Sequence, residues 1–371
     1  MRSLSFVKSH IPWAISVVAI PWFAGCTELR RAAAITDDGG ATLPTETVEA
    51  GVPDGGTDDS PLAALIPPDD TLPKVTYRAV TAVSASQVFI VGDETIVEFN
   101  GTKWSVVPVG GTELYGVWAD ENDAWAVGMV KNTNTGVFMH REGGRWIQFA
   151  NVPHGLRAIY GSGSFRMATG NDGAVYFGTL PKPFANGAQH ERAPDVPETV
   201  ASPILASVAG NSPTNVIVTG DVGVNYRYKP DGTWATLVDA TDRTRAYRAA
   251  FALPGEALDV ILGGNYYGLW RYRGQTDTEG NRIPMDMLFE ERESPFSARE
   301  YITSVWGPSM DHFVAVGTSG RFMVSQAGKP ITVLPTRAGS RDLYGVSGTS
   351  LRDVWVVGAD GVILHGSADA P

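Results

Sequence analysis

One five-residue pattern recurs seven times in this chain, and the repetition constrains the fold more than any other feature. Each copy opens with an apolar residue or a tyrosine, and its third position is always Ala, Gly or Ser. The copies begin at Tyr77, Leu114, Leu156, Leu205, Tyr247, Ile302 and Leu343. Because a short repeated unit cannot bury its apolar surface alone, the pattern predicts equivalent units that pack against their neighbours.

A second segment, rich in β-branched and aromatic residues, follows each copy and ends in glycine. The seven glycines are Gly92, Gly128, Gly170, Gly220, Gly264, Gly317 and Gly358. They are 36 to 53 residues apart, which is the length of four strands with variable loops. Tight turns such as Asn171-Asp172-Gly173 come next, and their residue types tolerate the positive φ of a short hairpin.

These units predict an all-β fold, a seven-bladed β-propeller. A blade packed between two others must be apolar on both faces, which explains runs of Val, Ile, Ala and Trp. The small third position fits the crowding of inner strands near the axis. A two-sheet sandwich is the competing fold, but it gives no reason for seven equivalent units.

The last copy ends at Gly366 without a fourth strand. An apolar segment, Leu62-Ala63-Ala64-Leu65-Ile66, stands just upstream of the first copy. We predict that residues 62–66 supply the missing outer strand and close the ring, which leaves no open sheet edge.

The N-terminus predicts export. Arg2 and Lys8 precede an apolar run over residues 11–23, which is short for a membrane-spanning helix and contains two prolines. The following Phe23-Ala24-Gly25-Cys26 resembles the bacterial lipobox, and the resemblance implies that Cys26, the one cysteine, receives acyl chains such as palmitate. Thr27 after it implies the outer membrane by the same resemblance. A spanning anchor, or a buried thiol after an ordinary cleavage site, are the alternatives.

Much of the negative charge lies ahead of the repeats. Residues 36–70 contain nine acids and no Lys or Arg, which predicts a disordered, self-repelling tether. The predicted organisation is a signal peptide over 1–25, a lipidated disordered acidic linker over 26–60 and the propeller over 61–371. The whole chain has a net charge of −11, which argues against a nucleic-acid partner.

The repeats also resemble a known group of proteins. Gly116-Val117-Trp118 and Trp125-Ala126-Val127-Gly128 are similar to tandem propeller repeats in lipoproteins of Gram-negative bacteria. The resemblance covers residues 75–366 and implies the fold much more than an activity.

The second position of the first strand is the candidate binding position. It carries arginine in copies one, three and five and an aromatic or hydroxyl side chain in three others. These residues are Arg78, Arg157, Arg248, Tyr115, Thr303 and Tyr344. If they face the axial channel, they suit an anionic or sugar-like ligand; the alternative is packing and salt bridging between blades.

Aromatic residues end the first strand in four copies, among them Trp118 and Trp306. We interpret these side chains as core residues first and as a stacking platform for a ligand second.

The common enzyme motifs are absent. The sequence has no His-Glu-x-x-His, no Gly-x-Ser-x-Gly and no phosphate-binding loop, so no cofactor and no metal are predicted. His140 and His365 occupy the third-strand position that we align with Phe99, Phe177 and Tyr272, which indicates packing. Turn geometry is the simpler explanation for Asp172, Asp221 and Asp360.

The leading functional hypothesis is a non-catalytic, monomeric binding or scaffold module, anchored to membrane lipid through Cys26 on the periplasmic or surface face of the outer membrane. It would recognise an envelope protein or glycan through the propeller face. One alternative is a propeller glycoside hydrolase or lyase whose site is assembled from several blades. Another is an assembly factor for an envelope complex. The insertions at 181–203 and 274–300 are candidate functional loops, and apolar residues 285–289 of the second predict an added strand.

Overall fold

A computed structural model describes residues 71–181, 183–184, 189–192, 203–221, 223, 225–229, 232–236, 245–255, 258–274, 285–291 and 300–366. The predicted signal peptide, the acidic linker with Cys26, and the closing segment 62–66 lie outside these residues. In the described part, no helix is long and apolar enough to cross a membrane.

The first six strands form a single antiparallel sheet in the order β1-β2-β3-β4-β5-β6. They are β1 (Tyr77–Ser84), β2 (Gln87–Phe99), β3 (Trp104–Ala119), β4 (Ala124–Val130), β5 (Gly136–Glu142) and β6 (Arg145–Val152). This sheet contains the first two sequence copies.

Three further sheets of four strands follow. They contain β7 (Leu156–Ser162), β8 (Phe165–Gly170), β9 (Ala174–Thr179) and β10 (Gln189–Arg192); then β11 (Leu205–Ser212), β12 (Asn215–Gly220), β13 (Asn225–Tyr228) and β14 (Trp234–Thr236); then β15 (Tyr247–Ala252), β16 (Val260–Gly264), β17 (Leu269–Tyr272) and β18 (Asp286–Phe289). Strand β18 confirms the predicted added strand in the second insertion.

The last two sheets have four and three described strands. They contain β19 (Ile302–Ser309), β20 (His312–Gly317), β21 (Phe322–Ser325) and β22 (Thr332–Leu334); then β23 (Leu343–Ser350), β24 (Asp353–Gly358) and β25 (Ile363–Gly366). Three short 3-10 turns, at Asn171–Gly173, Thr318–Gly320 and Ala359–Gly361, join second strands to third strands.

The described residues therefore form six sheets, where the sequence predicted seven blades. The difference arises in copies one and two, because β2 runs through the second and third strands of copy one and β3 runs from its fourth strand into the first strand of copy two. Asp93 pairs with Glu113 where the two copies meet. Glu94 takes a φ of 56° there, as Asp172, Ser319 and Asp360 do in the turns of other copies, so the chain still bends although β2 continues through this point.

The all-β propeller architecture itself is confirmed. The first strand of each copy contacts the first strands of the copies before and after it. In copy two, the last part of β3 is this first strand. The order around the ring is β1, β3, β7, β11, β15, β19, β23. Strand β23 contacts β1, so these inner strands form a closed ring.

Close packing explains the small third position of the repeat. A Cβ atom on Gly116 would lie 3.0 Å from the Cα of Ala158 in the next copy, and one on Gly345 would lie 3.1 Å from the Cα of Ala79. Neighbouring inner strands thus meet at this position, as the crowding argument predicted.

The glycine that ends each second strand has a different cause. A Cβ atom on any of the seven would lie 2.0 to 2.3 Å from the carbonyl oxygen of the residue that precedes the first strand. Those carbonyls belong to Thr76, Glu113, Gly155, Ile204, Ala246, Tyr301 and Asp342. No side chain fits in that space, so the backbones touch directly.

The core lies between adjacent copies of the repeat, in layers of buried Val, Ile, Leu and aromatic side chains. The segment before β1 belongs to the last of these layers. Leu72 is buried in the same cluster as Trp355 and Ile363, and Gly361 N donates to the carbonyl of Val75 at 2.7 Å.

Candidate ligand-binding cavity

A β-bulge at the second position of the first strand recurs in all seven copies. In copy one, Tyr77 pairs with Gly92 and Ala79 pairs with Val91, so Arg78 has no residue opposite it. The same one-residue shift leaves unpaired residues in the other copies: Tyr115, Arg157, Ala206, Arg248, Thr303 and Tyr344. A bulge re-aims the side chain it carries.

All seven bulged residues line one cavity of about 540 Å³. The other lining residues are Ile204, Tyr301, Thr318 and Asp342. A volume of a few hundred cubic ångströms suits a small molecule or a short segment of a protein. The structure thus brings Arg78, Tyr115, Arg157, Arg248 and Tyr344 together, and their role in binding a ligand stays a prediction.

Tyr115 lies against two guanidinium groups. The Cζ atoms of Arg78 and Arg157 are 4.5 and 4.2 Å from the centre of its ring, within the range of cation–π attraction. Burial raises the pKa of the Tyr115 phenol, although the charge of Arg78 opposes the rise. The phenol stays protonated and donates to Glu113 Oε2 at 2.8 Å.

The three arginines are held by the residues that follow the second-strand glycines. Arg78 Nε donates to Asp93 Oδ1 at 2.9 Å, and Arg248 Nη2 donates to Asp221 Oδ1 at 3.2 Å. Arg157 Nε donates to a neutral partner, Asn171 Oδ1, at 3.0 Å.

Asp342 and Tyr344 form another part of the wall. The Tyr344 hydroxyl donates to Asp342 Oδ2 at 3.3 Å, and the backbone N–H of Ser319 donates to Asp342 Oδ1 at 2.8 Å. Burial, with the negative charge of Asp342 adding to it, raises the pKa of the Tyr344 phenol. Among the described residues that line the cavity, Asp342 is the one carboxylate.

Trp118 and Trp306 do not line the cavity. A Cβ atom on Gly161 of the next copy would lie 2.6 Å from the Trp118 indole, and one on Gly348 would lie 2.9 Å from that of Trp306. The guanidinium of Arg166 also stacks 3.8 Å from the Trp118 ring centre. Both tryptophans pack between copies, which agrees with their interpretation as core residues.

The histidines pack as expected, with one correction to their alignment. His140 and His365 stack on Trp125 and Trp355 at 4.0 and 3.7 Å. Their Nε2 atoms lie 2.7 Å from carboxylate oxygens of Asp123 and Asp353. The position that matches them in copy five is Arg271, which pairs with Ile261, so the predicted alignment with Tyr272 was wrong by one residue.

Metal-ligand geometry is not found in the described ranges, where no three His, Cys, Asp or Glu side chains cluster closely enough to hold a metal ion. Asp172 and Asp360 take φ values of 58° and 53° inside 3-10 turns, which confirms turn geometry as their role.

Sequence reasoning missed part of the cavity wall. Tyr301 and Asp342 directly precede first strands, and Thr318 directly follows a second-strand glycine. Each is adjacent in the fold to a bulged residue. Extending the repeat alignment by one residue at these two places would have found all three.

No protein-family model matches this sequence, and no curated protein matches it. The fold is similar to that of YCF48 from Cyanidioschyzon merolae, at 16% identity and a TM-score of 0.60 over 82% of this chain and 98% of that one. A structure of YCF48 bound to D1 peptide is 15% identical, with a TM-score of 0.56 over 80% and 94% of the two chains.

The streptogramin B lyase structure is 11% identical to this chain, with a TM-score of 0.61 over 80% of this chain and 95% of that one. At these identities the three similarities define the class of protein alone, an all-β propeller.

Proposed function

We propose that the chain is a non-catalytic binding module of the cell envelope whose central cavity recognises an anionic group on a protein partner. The convergence of seven bulged side chains, three of them arginines, on one cavity carries this proposal. Arginine presents several N–H donors in a planar fork that matches carboxylate geometry. YCF48, a protein of similar fold, has been solved bound to D1 peptide, which supports a protein partner here.

The cavity favours binding over glycoside hydrolysis. That reaction ordinarily uses two carboxyl groups about 5 to 10 Å apart on either side of the scissile bond. Among its described lining residues the cavity offers Asp342, whose two oxygens accept from Ser319 and Tyr344.

We also propose that the six-stranded sheet counts as two of seven blades. Two observations support this: the closed ring has seven inner strands, and both β1 and the last part of β3 carry the bulge and the paired glycine of the repeat. On this basis, the continuous β2 and β3 are a local fusion of neighbouring blades.

The proposed location is the outer membrane, with acyl chains on Cys26 and residues 26–60 as the tether. The lipobox resemblance and the acidic, Lys- and Arg-free segment support this part of the proposal. The partner would then be an envelope protein within reach of the tether.

A triple variant, Arg78→Ala/Arg157→Ala/Arg248→Ala, tests the binding proposal on an array of acidic peptides and on a glycan array. We expect peptide binding to weaken about 30-fold or more, since truncating a buried charged partner costs at least 2 kcal/mol or so. The control is Arg145→Ala/Arg337→Ala/Arg352→Ala, which removes the same charge from exposed positions. Undiminished binding by the cavity variant overturns the proposal, and glycan binding without peptide binding replaces the protein partner with a glycan.

A further inference from the structure

The three arginines of the cavity are not electrostatically equivalent. Arg78 and Arg248 each form an ion pair, with Asp93 at 2.9 Å and Asp221 at 3.2 Å. Arg157 has no acidic partner among the described residues, because a neutral asparagine, Asn171, stands where Asp93 stands in copy one. Arg157 therefore contributes the one positive charge without an acidic partner among the described lining residues.

The orientation of Arg157 is fixed from two sides. Its Nε is bound to Asn171 Oδ1, and its face lies on the Tyr115 ring. Asn171 is itself oriented, since its Nδ2 donates to Asn134 Oδ1 at 2.8 Å. The two Nη groups of Arg157 remain for a ligand, in the geometry that a carboxylate accepts.

Asp342 is the opposite case. It lines the same cavity and receives hydrogen bonds from Ser319 and Tyr344, but no Lys, Arg or His of the described residues forms an ion pair with it. Asp342 precedes the first strand of copy seven and Arg157 lies in copy three. These copies are three steps apart around the ring of seven inner strands, which is the greatest separation in such a ring.

Among its described lining residues, the cavity thus holds one positive and one negative charge without an ion-pair partner, on opposite walls. We propose that it binds a segment with both an acidic and a basic group, the acid on Arg157 and the base on Asp342. This inference rests on the proposed binding function and makes it more specific. A ligand with an acid alone would cover Asp342 without a partner for its charge, which is unfavourable in a partly dehydrated site.

The test uses acetylated and amidated peptides in which Glu and Lys are joined by glycine spacers of different lengths. Glu, Lys or both are replaced with Gln in matched peptides, and binding is measured by titration calorimetry. For the spacer that binds the wild-type protein best, we expect each replacement to weaken binding about tenfold, since hydrogen bonds to charged groups contribute roughly 1.5 kcal/mol or more.

Protein variants then assign each preference to one residue. Arg157→Met should abolish the preference for Glu over Gln and retain that for Lys. Asp342→Asn should do the reverse, because the asparagine Oδ1 can still accept from Ser319 and its Nδ2 can donate to the hydroxyl oxygen of Tyr344. Arg352→Met, at an exposed position, is the control and should keep both preferences.

A second pair of variants leaves both charged residues in place. Asn171→Asp gives Arg157 the acidic partner that Arg78 has, and should reduce the Glu preference about tenfold. Asp93→Asn frees Arg78 and should add affinity for peptides with a second Glu. Melting temperatures close to that of the wild type show that each variant is folded.

The outcomes separate the two proposals. Preference for Glu with no preference for Lys, or a Lys preference that survives Asp342→Asn, overturns this inference and leaves the anionic-ligand proposal standing. A Glu preference that survives Arg157→Met also overturns this inference, and one that survives Arg78→Ala/Arg157→Ala/Arg248→Ala overturns both proposals. Binding of free zwitterionic dipeptides without binding of the blocked peptides supports the same charge pairing and assigns it to a small molecule.

Discussion

Asp123 shows how one carboxylate can organise several neighbouring side chains. The Arg166 side chain is 1% exposed and donates to Asp123 Oδ2 at 2.5 Å. Trp125 Nε1 also donates to Oδ2, at 2.7 Å, and His140 Nε2 lies 2.7 Å from Oδ1. Asp123 therefore neutralises a buried guanidinium between copies two and three.

Replacing this carboxylate should be costly. We expect Asp123→Asn to lower the free energy of unfolding by about 3 to 5 kcal/mol, because it leaves Arg166 buried without its counter-charge. Urea denaturation checks this, with Glu121→Gln, an exposed neighbour, as the control. A loss no larger than that of the control would show that water or other groups compensate Arg166.

The same residue gives the protein an acid dependence. Burial by itself would raise the pKa of Asp123, but hydrogen bonds from Arg166, His140 and Trp125 outweigh it and lower the pKa. Because the pKa of Asp123 is lower in the folded than in the unfolded state, its ionised carboxylate stabilises the fold above the unfolded pKa of about 4. That contribution is lost as the pH falls through the pKa of the folded state. When the pH is lowered from neutral to below about 4, the free energy of unfolding should therefore fall less for Asp123→Asn than for the wild type.

Much of the candidate site was predictable from single residues, because its residues occupy the same position in successive copies of the repeat. The positions of Arg78, Arg157 and Arg248 follow from aligning seven copies, and no other knowledge was needed. The bulge that aims them at the axis was not predictable, since it depends on contact between a glycine and a carbonyl from different strands. The pairing of Arg248 with Asp221 was not predictable either, since the two residues belong to different copies.

The sequence predicts that an N-terminal strand covers the outer edge of the last sheet. Its described strands are β23, β24 and β25, and Leu72 packs on them with Lys74 next to Gly361. The chain thus contacts this sheet from Leu72 onwards, and the closing strand over residues 62–66 stays a prediction.

Deleting residues 60–70 tests that strand while keeping the buried Leu72. We expect the free energy of unfolding to fall by about 3 kcal/mol or more, because the segment would bury at least two large apolar side chains in the outer layer. Thermal denaturation monitors the change, and deletion of residues 41–51, of equal length, is the control. Equal melting temperatures for the two deletions would mean that the last sheet needs no strand from the N-terminus.

The fusion of copies one and two shows where prediction of elements failed. Copies three and seven have Asp-Gly in the turn after the second strand, whereas copy one has Asp93-Glu94-Thr95. Glu94 still takes a positive φ, so the chain bends without the residue type that usually marks a turn. Asp93 also pairs with Glu113, and β2 and β3 continue without a break between the two copies, which joins them in one sheet.

At the scale of the whole molecule, the proposed anchor and the folded unit are separate parts. We expect Cys26→Ser to move the protein from the membrane fraction to the soluble fraction, because each buried methylene of an acyl chain contributes about 0.8 kcal/mol. Fractionation and the mass of the N-terminal peptide are the measurements, with Thr27→Ser as the control. A Cys26→Ser protein that stays with the membrane would exclude acylation at this residue as the anchor.

The bulged residues of the proposed ligand site are different residues from those that build the scaffold. Glycines and carbonyls of the backbone fix the seven positions around the axis, whereas the side chains there contribute little to the layers between sheets. A substitution at one of these positions would change the proposed ligand site and leave the apolar layers in place, although at Thr303 it would also remove a hydrogen bond to the Leu343 carbonyl of the next copy. In evolutionary terms, the ring is a set of seven variable sites on a constant frame, and an engineer can treat Ala206, the smallest of them, as the first position to fill.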